Sequence, residues 1–440
     1  MGVARSVTGR RWVGPGREVE RLGLAIAQAA DVPEIVGRVL AARDVLPESA
    51  ADYLSPRLRA LMLDPATMAD MEPAAALLAE AVARGRSVGI FGDYDVDGGA
   101  SAALLHGWLA EQGVTAEIYI PDRLGEGYGP NVPAMSALGQ RHGLVVCVDC
   151  GTVSHEAVAA ARSEGAQVVI ADHHLPGETL PEAEAVVNPN RHDDSSGLGF
   201  LAAAGVVFMM LVAANRVLRG EGRRVPDLMA LATVADVAPL VGLNRAFVRQ
   251  GLSVLARRER PGLAALADVA RLTAPPSSRD LGFALGPRIN AGGRVGEASL
   301  GARLMASACP EEAAALAAKL DALNSERKRI EAAVLEDAAA QAAARLEAGA
   351  PLAWAAGEGW HPGVLGIVAS RLKERFDCPA VVIGLDGATG TGSGRSVAGV
   401  DIGSAVGALL RAGLLVKGGG HRMAAGFTVA RAGLDAAMEA

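Results

Sequence analysis

From Ser87 onward, short apolar runs alternate with longer mixed stretches. The runs are Val88-Gly89-Ile90-Phe91, Glu117-Ile118-Tyr119-Ile120, Leu144 to Val148, Val168-Val169-Ile170-Ala171 and Ala185-Val186-Val187, flanked by Gly, Asp or Pro. Runs of this length suit strands covered on both faces, and the helical stretches between them make crossover units of a parallel sheet. Upstream, residues 17 to 86 are rich in Ala, Leu and Arg and punctuated by Pro47, Pro56, Pro65 and Pro73, which predicts a helical lead-in. Residues 311 to 348 contain neither Pro nor Gly and predict one long helix. After Gly349 a second α/β pattern begins with Leu352-Ala353-Trp354, a helical Val364 to Phe376 and the strand Ala380 to Gly384. The fold class expected is α/β: a lead-in over 1–86, a parallel-sheet domain over 87–310, a connecting long helix over 311–349 and a smaller α/β domain over 350–440. In such sheets, chemistry gathers at the carboxyl ends of the strands.

Composition narrows the function. The 440 residues are 50% hydrophobic, enough to bury two or more cores. Lys plus Arg number 42 against 49 Asp plus Glu, a net −7 that excludes a protein coating nucleic acid through bulk positive charge. Charge is uneven, however: residues 215 to 303 hold 14 Arg against 7 acidic residues, a local excess of positive charge within an acidic chain. Arg outnumbers Lys 38 to 4, a bias that GC-rich codons, suggested also by the abundant Ala, account for. Cys147 and Cys150 form a lone C-x-x-C with no second half, and Cys147 sits in an apolar run, so both are expected inside the fold rather than on zinc. The 17 uncharged residues Leu198 to Ala214 read as a buried helix rather than a membrane span, and the expected compartment is the cytoplasm. Met1 to Ser6 fits a loose myristoylation pattern only by chance.

The chemistry lies where the strands end. The first run leads into Gly92-Asp93-Tyr94-Asp95-Val96-Asp97-Gly98-Gly99, three carboxylates at alternate positions, with a helix expected from Ala100. Carboxylates this close repel one another unless cations sit among them. Hard oxygen ligands suit magnesium or manganese; a calcium loop fails because the twelfth position from Asp93 is Leu104. Val148 is followed by Asp149-Cys150-Gly151, and Ala171 by Asp172-His173-His174, whose imidazoles move the preference toward manganese or another transition ion. Asp236, in the otherwise apolar Leu231 to Leu240, needs a metal or an Arg beside it if buried.

These four segments resemble, in order, the successive motifs of the DHH phosphoesterase superfamily. The full form of the first, together with Leu285 to Arg294, Ser393-Gly394-Arg395-Ser396 and Gly418 to Phe427, is similar to the RecJ single-strand-specific exonuclease branch, and the likeness covers nearly all the chain. It implies a DHH catalytic domain followed by a DHHA1 substrate-binding domain. It also implies a 5′-to-3′ exonuclease that releases 5′-mononucleotides from single-stranded DNA in repair and recombination. On this resemblance Asp95, Asp97, Asp149, His173 and Asp236 hold two divalent cations, Mn2+ or Mg2+, with Asp149 between them. Asp93 and Asp172 orient ligands or water, and His174 contacts the scissile phosphate. Ser393 and Arg395 grip the 5′ phosphate, Arg123, Arg288, Asn290 and Arg294 line the strand's path, and a Gly-rich turn with Gly419, Gly420 and His421 approaches the phosphates closely. Single-stranded DNA is the implied partner, with a single-strand-binding protein and a helicase as further partners and no membrane. Tyr94, Tyr119, Tyr128 and Phe427 are the aromatics near the motifs.

Bacterial members of that branch typically continue into an oligonucleotide-binding barrel, which the 440 residues do not include; the hydrolytic core is expected without it. Two rival readings remain. An oligoribonuclease or nucleotide phosphatase of the superfamily usually carries an N-x-D-x-D type first motif in place of Asp93 to Asp97. A non-catalytic Cdc45-like scaffold is opposed by every metal-ligand position being present.

Overall fold

In the computed structural model, which describes residues 3–123, 125–218 and 226–440, the five apolar runs form one parallel sheet ordered β2-β1-β3-β4-β5. β1 (Val88–Gly92), β3 (Leu144–Val148) and β5 (Ala185–Val187) are buried throughout, and β4 (Gln167–Ala171) is buried beyond its first residue. β2 (Ala116–Tyr119), at the edge, is half-buried. The chain leaves β1 for β2 on one side and returns past it to β3 on the other. A crevice therefore opens at the carboxyl ends of β1 and β3, where the winding reverses. Register does the rest: Gly92 pairs with Val148, and Val148 with Ala171, so Asp93, Asp149 and Asp172 emerge level on three adjacent strands.

The helix after β1 spans Val96–Glu111, four residues earlier than the expected start at Ala100, because Asp95 caps it. Asp97 consequently stands in its first turn. The uncharged run forms the buried helix Ala203–Leu218, and no helix among the described residues is long and apolar enough to cross a membrane. Cys147 and Cys150 are both buried. In the lead-in, Ile26, Leu40 and Ala41 belong to a small core of their own, whereas Met71, Ala74 and Leu78 of the helix Met71–Arg84 join the core beneath the first sheet.

The long helix Pro310–Glu347 has 38 residues, about 57 Å at 1.5 Å per residue. Its first half buries Ala313, Leu316, Ala317 and Leu320 in the first core, and its second half buries Val334, Ala338, Ala339 and Ala342 in the core of a second sheet. That sheet is mixed, ordered β6-β7-β8-β10-β9. β6 (Ala353–Glu358) and β7 (Ala380–Asp386) are parallel; β8 (Thr389–Arg395), β9 (Lys417–His421) and β10 (Ala424–Ala430) complete it antiparallel. The Gly-rich turn expected at 418–420 is thus an edge strand. A Cβ on Gly420 would lie 2.4 Å from the Ala424 carbonyl oxygen, so this glycine lets β9 close on β10.

Candidate active site

Two of the carboxylates are fixed by backbone amides. Asp95 Oδ1 accepts the amides of Asp97 (2.9 Å) and Gly98 (3.0 Å) at the start of Val96–Glu111. Asp97 accepts the amides of Ala203 (2.6 Å) and Ala204 (2.8 Å), so two helix N-termini hold two carboxylates of the cluster. Asp149 has φ 59°, a left-handed conformation that costs a non-glycine residue energy and that the adjoining strands impose. His173 Nε2 lies 3.2 Å from Asp149 Oδ1 and 3.8 Å from Asp97 Oδ2. Its Nδ1 donates to the Leu201 carbonyl at 3.1 Å, which leaves Nε2 as the lone-pair nitrogen facing the carboxylates. Burial and the neighbouring His174 lower its pKa, keeping it neutral, the form that binds a metal.

Three sets of these groups bring ligand atoms within 4.8 Å of one another: Asp93, Asp95 and Asp149; Asp97, His173 and Asp236; and Asp149, His173 and His174. Burial and then the charge of Asp95 push Asp93 up to about 7 and Asp236 up to about 6. Burial and neighbouring carboxylates raise Asp97 and Asp149 as well. Asp93 Oδ1 is buried without a hydrogen-bond partner. Crowded carboxylates with an orphaned oxygen and a neutral imidazole fit divalent cations, whose charge would reverse this mutual repulsion.

Behind the cluster lies a fully hydrogen-bonded network. Asp172 Oδ1 accepts His174 Nδ1 at 2.7 Å, and Oδ2 accepts the Thr152 hydroxyl at 2.6 Å and amide at 3.1 Å. Asn188, fully buried just past β5, donates to Thr152 Oγ1 (2.9 Å) and to the His174 carbonyl (2.8 Å); Asn190 donates to the His173 carbonyl (2.6 Å). Burial opposes charge on His174, but the hydrogen bond and charge of Asp172 outweigh it and raise the ring to about 9. The same pairing holds Asp172 well below the usual carboxylate range against the burial that would raise it. His174 Nε2 lies 3.1 Å from the Tyr128 hydroxyl.

The cluster opens into a cleft of about 1260 Å³ between the two sheets. Asp93, Asp95, His174, Asp236 and Asn290 line one part, and Arg123, Arg294, Ser393, Arg395, Lys417 and His421 another. Arg395 Nη1 donates to Ser393 Oγ (3.2 Å) and the Gly394 carbonyl (2.8 Å). Gly366 makes room: a Cβ there would come 2.8 Å from Arg395 Nη2. Burial first, then the charges of Arg123 and Arg327, lower Arg294 to about 10; burial and Arg123 lower Arg395 too. A cleft where the charge of Arg123 disfavours charge on both Arg294 and Arg395 is a site for an anion.

Three expected strand contacts are not brought to this cleft. Arg288 points instead to the long helix, where Nε donates to Asp321 Oδ1 (2.8 Å) and Nη1 to the Ala284 carbonyl (2.8 Å). Gly419 and Gly420 lie in β9 and are not among the lining residues, although Gly418 is. The basic span 215–303 is also largely consumed by structure. Arg216 pairs with Asp64, Arg258 with Asp268, Arg260 with the buried Asp227 and Arg303 with Glu297; of this span's described arginines only Arg294 lines the cleft. Arg219, Arg223 and Arg224 lie outside the described residues. Sequence reasoning missed Thr152, Asn188 and Lys417. Asn188 had a signal, a polar residue at a fourth strand end; Thr152 and Lys417 had none.

Level carboxylates on three strands, a paired His-His and a cationic second sheet define a DHH phosphoesterase carrying a DHHA1 domain. The DHH family N-terminal domain matches residues 87–233 and the DHHA1 domain residues 343–440. The chain is 40% identical over 421 residues to the single-stranded-DNA-specific exonuclease RecJ of Dickeya dadantii, covering 90% of this chain and 72% of that protein. With RecJ of Escherichia coli it shares 39% over 425 residues, at 91% and 72% coverage. The chain belongs to the RecJ family of single-stranded-DNA-specific exonucleases. A crystal structure of exonuclease RecJ bound to manganese superposes with a TM-score of 0.75 at 35% identity, over 86% of this chain and 94% of that one. Thermus thermophilus RecJ in complex with Mn2+ gives a TM-score of 0.82 at 31% identity, over 97% of this chain and 61% of that one.

Proposed function

We propose that this protein is a metal-dependent 5′-to-3′ exonuclease that releases 5′-mononucleotides from single-stranded DNA. The observation that carries the reading is one cleft with hydrolytic carboxylates in one part and mutually repelling guanidiniums in another. A phosphodiester over the carboxylates, with its terminal 5′ phosphate on the arginines, is the ligand that satisfies both.

Asp95, Asp97, Asp149, His173 and Asp236 are the residues to hold two divalent cations, Mn2+ or Mg2+. When bound, these supply charge that activates water and neutralises the phosphate oxygens. Asp93 offers its unpartnered Oδ1 to orient that water. His174, kept protonated through neutral pH by Asp172, donates to a non-bridging oxygen of the scissile phosphate. Arg395, Ser393, Arg294 and Arg123 bind the 5′ phosphate and set which bond lies over the cluster, so that one nucleotide leaves per cut. Asn290, with an unpartnered buried Oδ1, lines the path between. Because contacts are to phosphate, sequence preference is low.

In this reading residues 87–310 cut and lend Arg123 and Arg294 to the 5′ phosphate, residues 350–440 grip it with Ser393 and Arg395, and the helix over 311–349 spaces the two. A strand-specific enzyme acts downstream of a helicase that unwinds duplex and beside a single-strand-binding protein that coats the product, in the cytoplasm. Single strands and duplexes labelled at either end, incubated with the protein and Mn2+, test the proposal. Labelled mononucleotide from the 5′ end of single strands is expected. Digestion from the 3′ end, or of di- to pentanucleotides alone, would sink it.

A further inference from the structure

Beyond residue 16, the three most exposed large apolar side chains among the described residues are Val237 (86%), Phe283 (81%) and Leu175 (76%). Single exposed apolar residues need no explanation, but each of these adjoins, along the chain, a residue or segment that lines the catalytic cleft. Leu175 follows His174, Val237 follows Asp236, and Phe283 lies on the helical segment that carries Asn290 and Arg294 into the cleft. Two of them sit on unusual backbone. Val237 has φ 58°, a conformation that a β-branched residue adopts only at a cost. Phe283 lies in the π-helical turn Leu281–Leu285, a distortion frequent at functional sites. The two segments adjoin, since a Cβ on Gly282 would lie 3.4 Å from Val234 Cγ1. The Arg279 guanidinium stands 6.0 Å from the Phe283 ring centroid, a cation beside an exposed ring.

Order along the helix gives these residues a direction. Arg294 is at the end that meets Arg395, Asn290 follows, and Phe283 lies seven residues further on, about 10 Å at 1.5 Å per residue. A strand anchored by its 5′ phosphate on Arg294 and Arg395 runs past Asp236 toward Phe283. We propose that Phe283, with Val237 and Leu175 on the segments that follow Asp236 and His174, contacts the nucleobases on the 3′ side of the scissile phosphate. This inference rests on the exonuclease reading. An apolar collar suits any base, since each has a π-face, and it finds no free base faces in a duplex, so it adds to single-strand preference. A protein seated on the same rim would cover the mouth of the cleft.

Fluorescence anisotropy without divalent cation, using a short 5′-phosphorylated oligothymidylate labelled at its 3′ end and the same strand made abasic beyond its first nucleotide, tests the collar. Stacking worth about 1–3 kcal/mol per base predicts that Phe283→Ala weakens binding of the base-bearing strand about 5- to 150-fold. The abasic strand should bind both proteins alike, and Phe283→Tyr should restore affinity. Val237→Asn, which suits the left-handed backbone, should shift affinity the same way as Phe283→Ala without lowering the melting temperature. Equal losses on both strands, or no loss on either, would overturn the proposal. Because no cutting is needed, absence of 5′-to-3′ hydrolysis would overturn the exonuclease reading and leave this result standing.

Discussion

The two sheets meet the same cleft in opposite ways. The first presents carboxylates at and just beyond the ends of buried parallel strands, with Asp95 and Asp97 held by helix N-termini and Asp172 by the Thr152 side chain behind it. The second presents arginine, serine and lysine from the antiparallel part of a mixed sheet, whose edge strand β9 is exposed along most of its length. Rigid burial suits groups that must keep like charges together; an open, cationic, glycine-rich sheet suits a ligand that has to slide forward after each cut. The difference predicts that changes in the first region strike kcat, whereas changes in the second strike KM.

Asp149→Ala should break the comparison most severely, lowering Mn2+-dependent kcat by about 10³-fold or more, because it removes the group central to the cluster. Unchanged behaviour in steady-state assays would favour a non-catalytic scaffold. Thr152→Val should lower kcat by about 10–100-fold with KM little altered, since it frees both Asp172 and Asn188, and Thr152→Ser should restore it. Arg395→Ala should instead raise KM for 5′-phosphorylated strands by about 10–100-fold.

The smallest effect is on stability. In metal-free protein Asp93 and Asp236 have pKa values near 7 and 6 against 3.8 unfolded, so the folded chain holds more protons than the unfolded one between those values. Stability from this source is therefore greatest in acid and falls as pH rises from about 4 to 7. Mn2+ reverses that loss, so its increment in melting temperature by calorimetry should be larger at pH 8 than at pH 5, by a few degrees. His174 acts in the same direction at higher pH: its contribution is present below about 6.5 and lost as pH rises through about 9, and Asp172→Asn should remove it.

The first sheet was legible because strands buried on both faces leave continuous apolar runs, and Asp93, Asp149 and Asp172 were legible because they follow those runs directly. In the second sheet, β8 (TGTGSGR) and β9 (KGGGH) carry too few side chains to show a strand period, so a strand looked like a turn. Arg288 was misplaced through sequence proximity to Asn290 and Arg294. Those two are four residues apart and share a helix face, whereas Arg288 is two residues from Asn290 and faces away, toward Asp321. The basic span misled because a count of arginines does not reveal which ones buried or neighbouring carboxylates have already taken. Thr152 was invisible because nothing local marks a threonine whose partners lie 20 and 36 residues away.

That the first sheet cuts and the second grips the 5′ end is tested most directly by comparing the rate of mononucleotide release from one single strand bearing either a 5′ phosphate or a 5′ hydroxyl, in the wild type and in Arg395→Ala. The account predicts a clear preference for the phosphate in the wild type that Arg395→Ala abolishes while retaining Mn2+-dependent cutting. An undiminished preference in the variant, or none in the wild type, would contradict it.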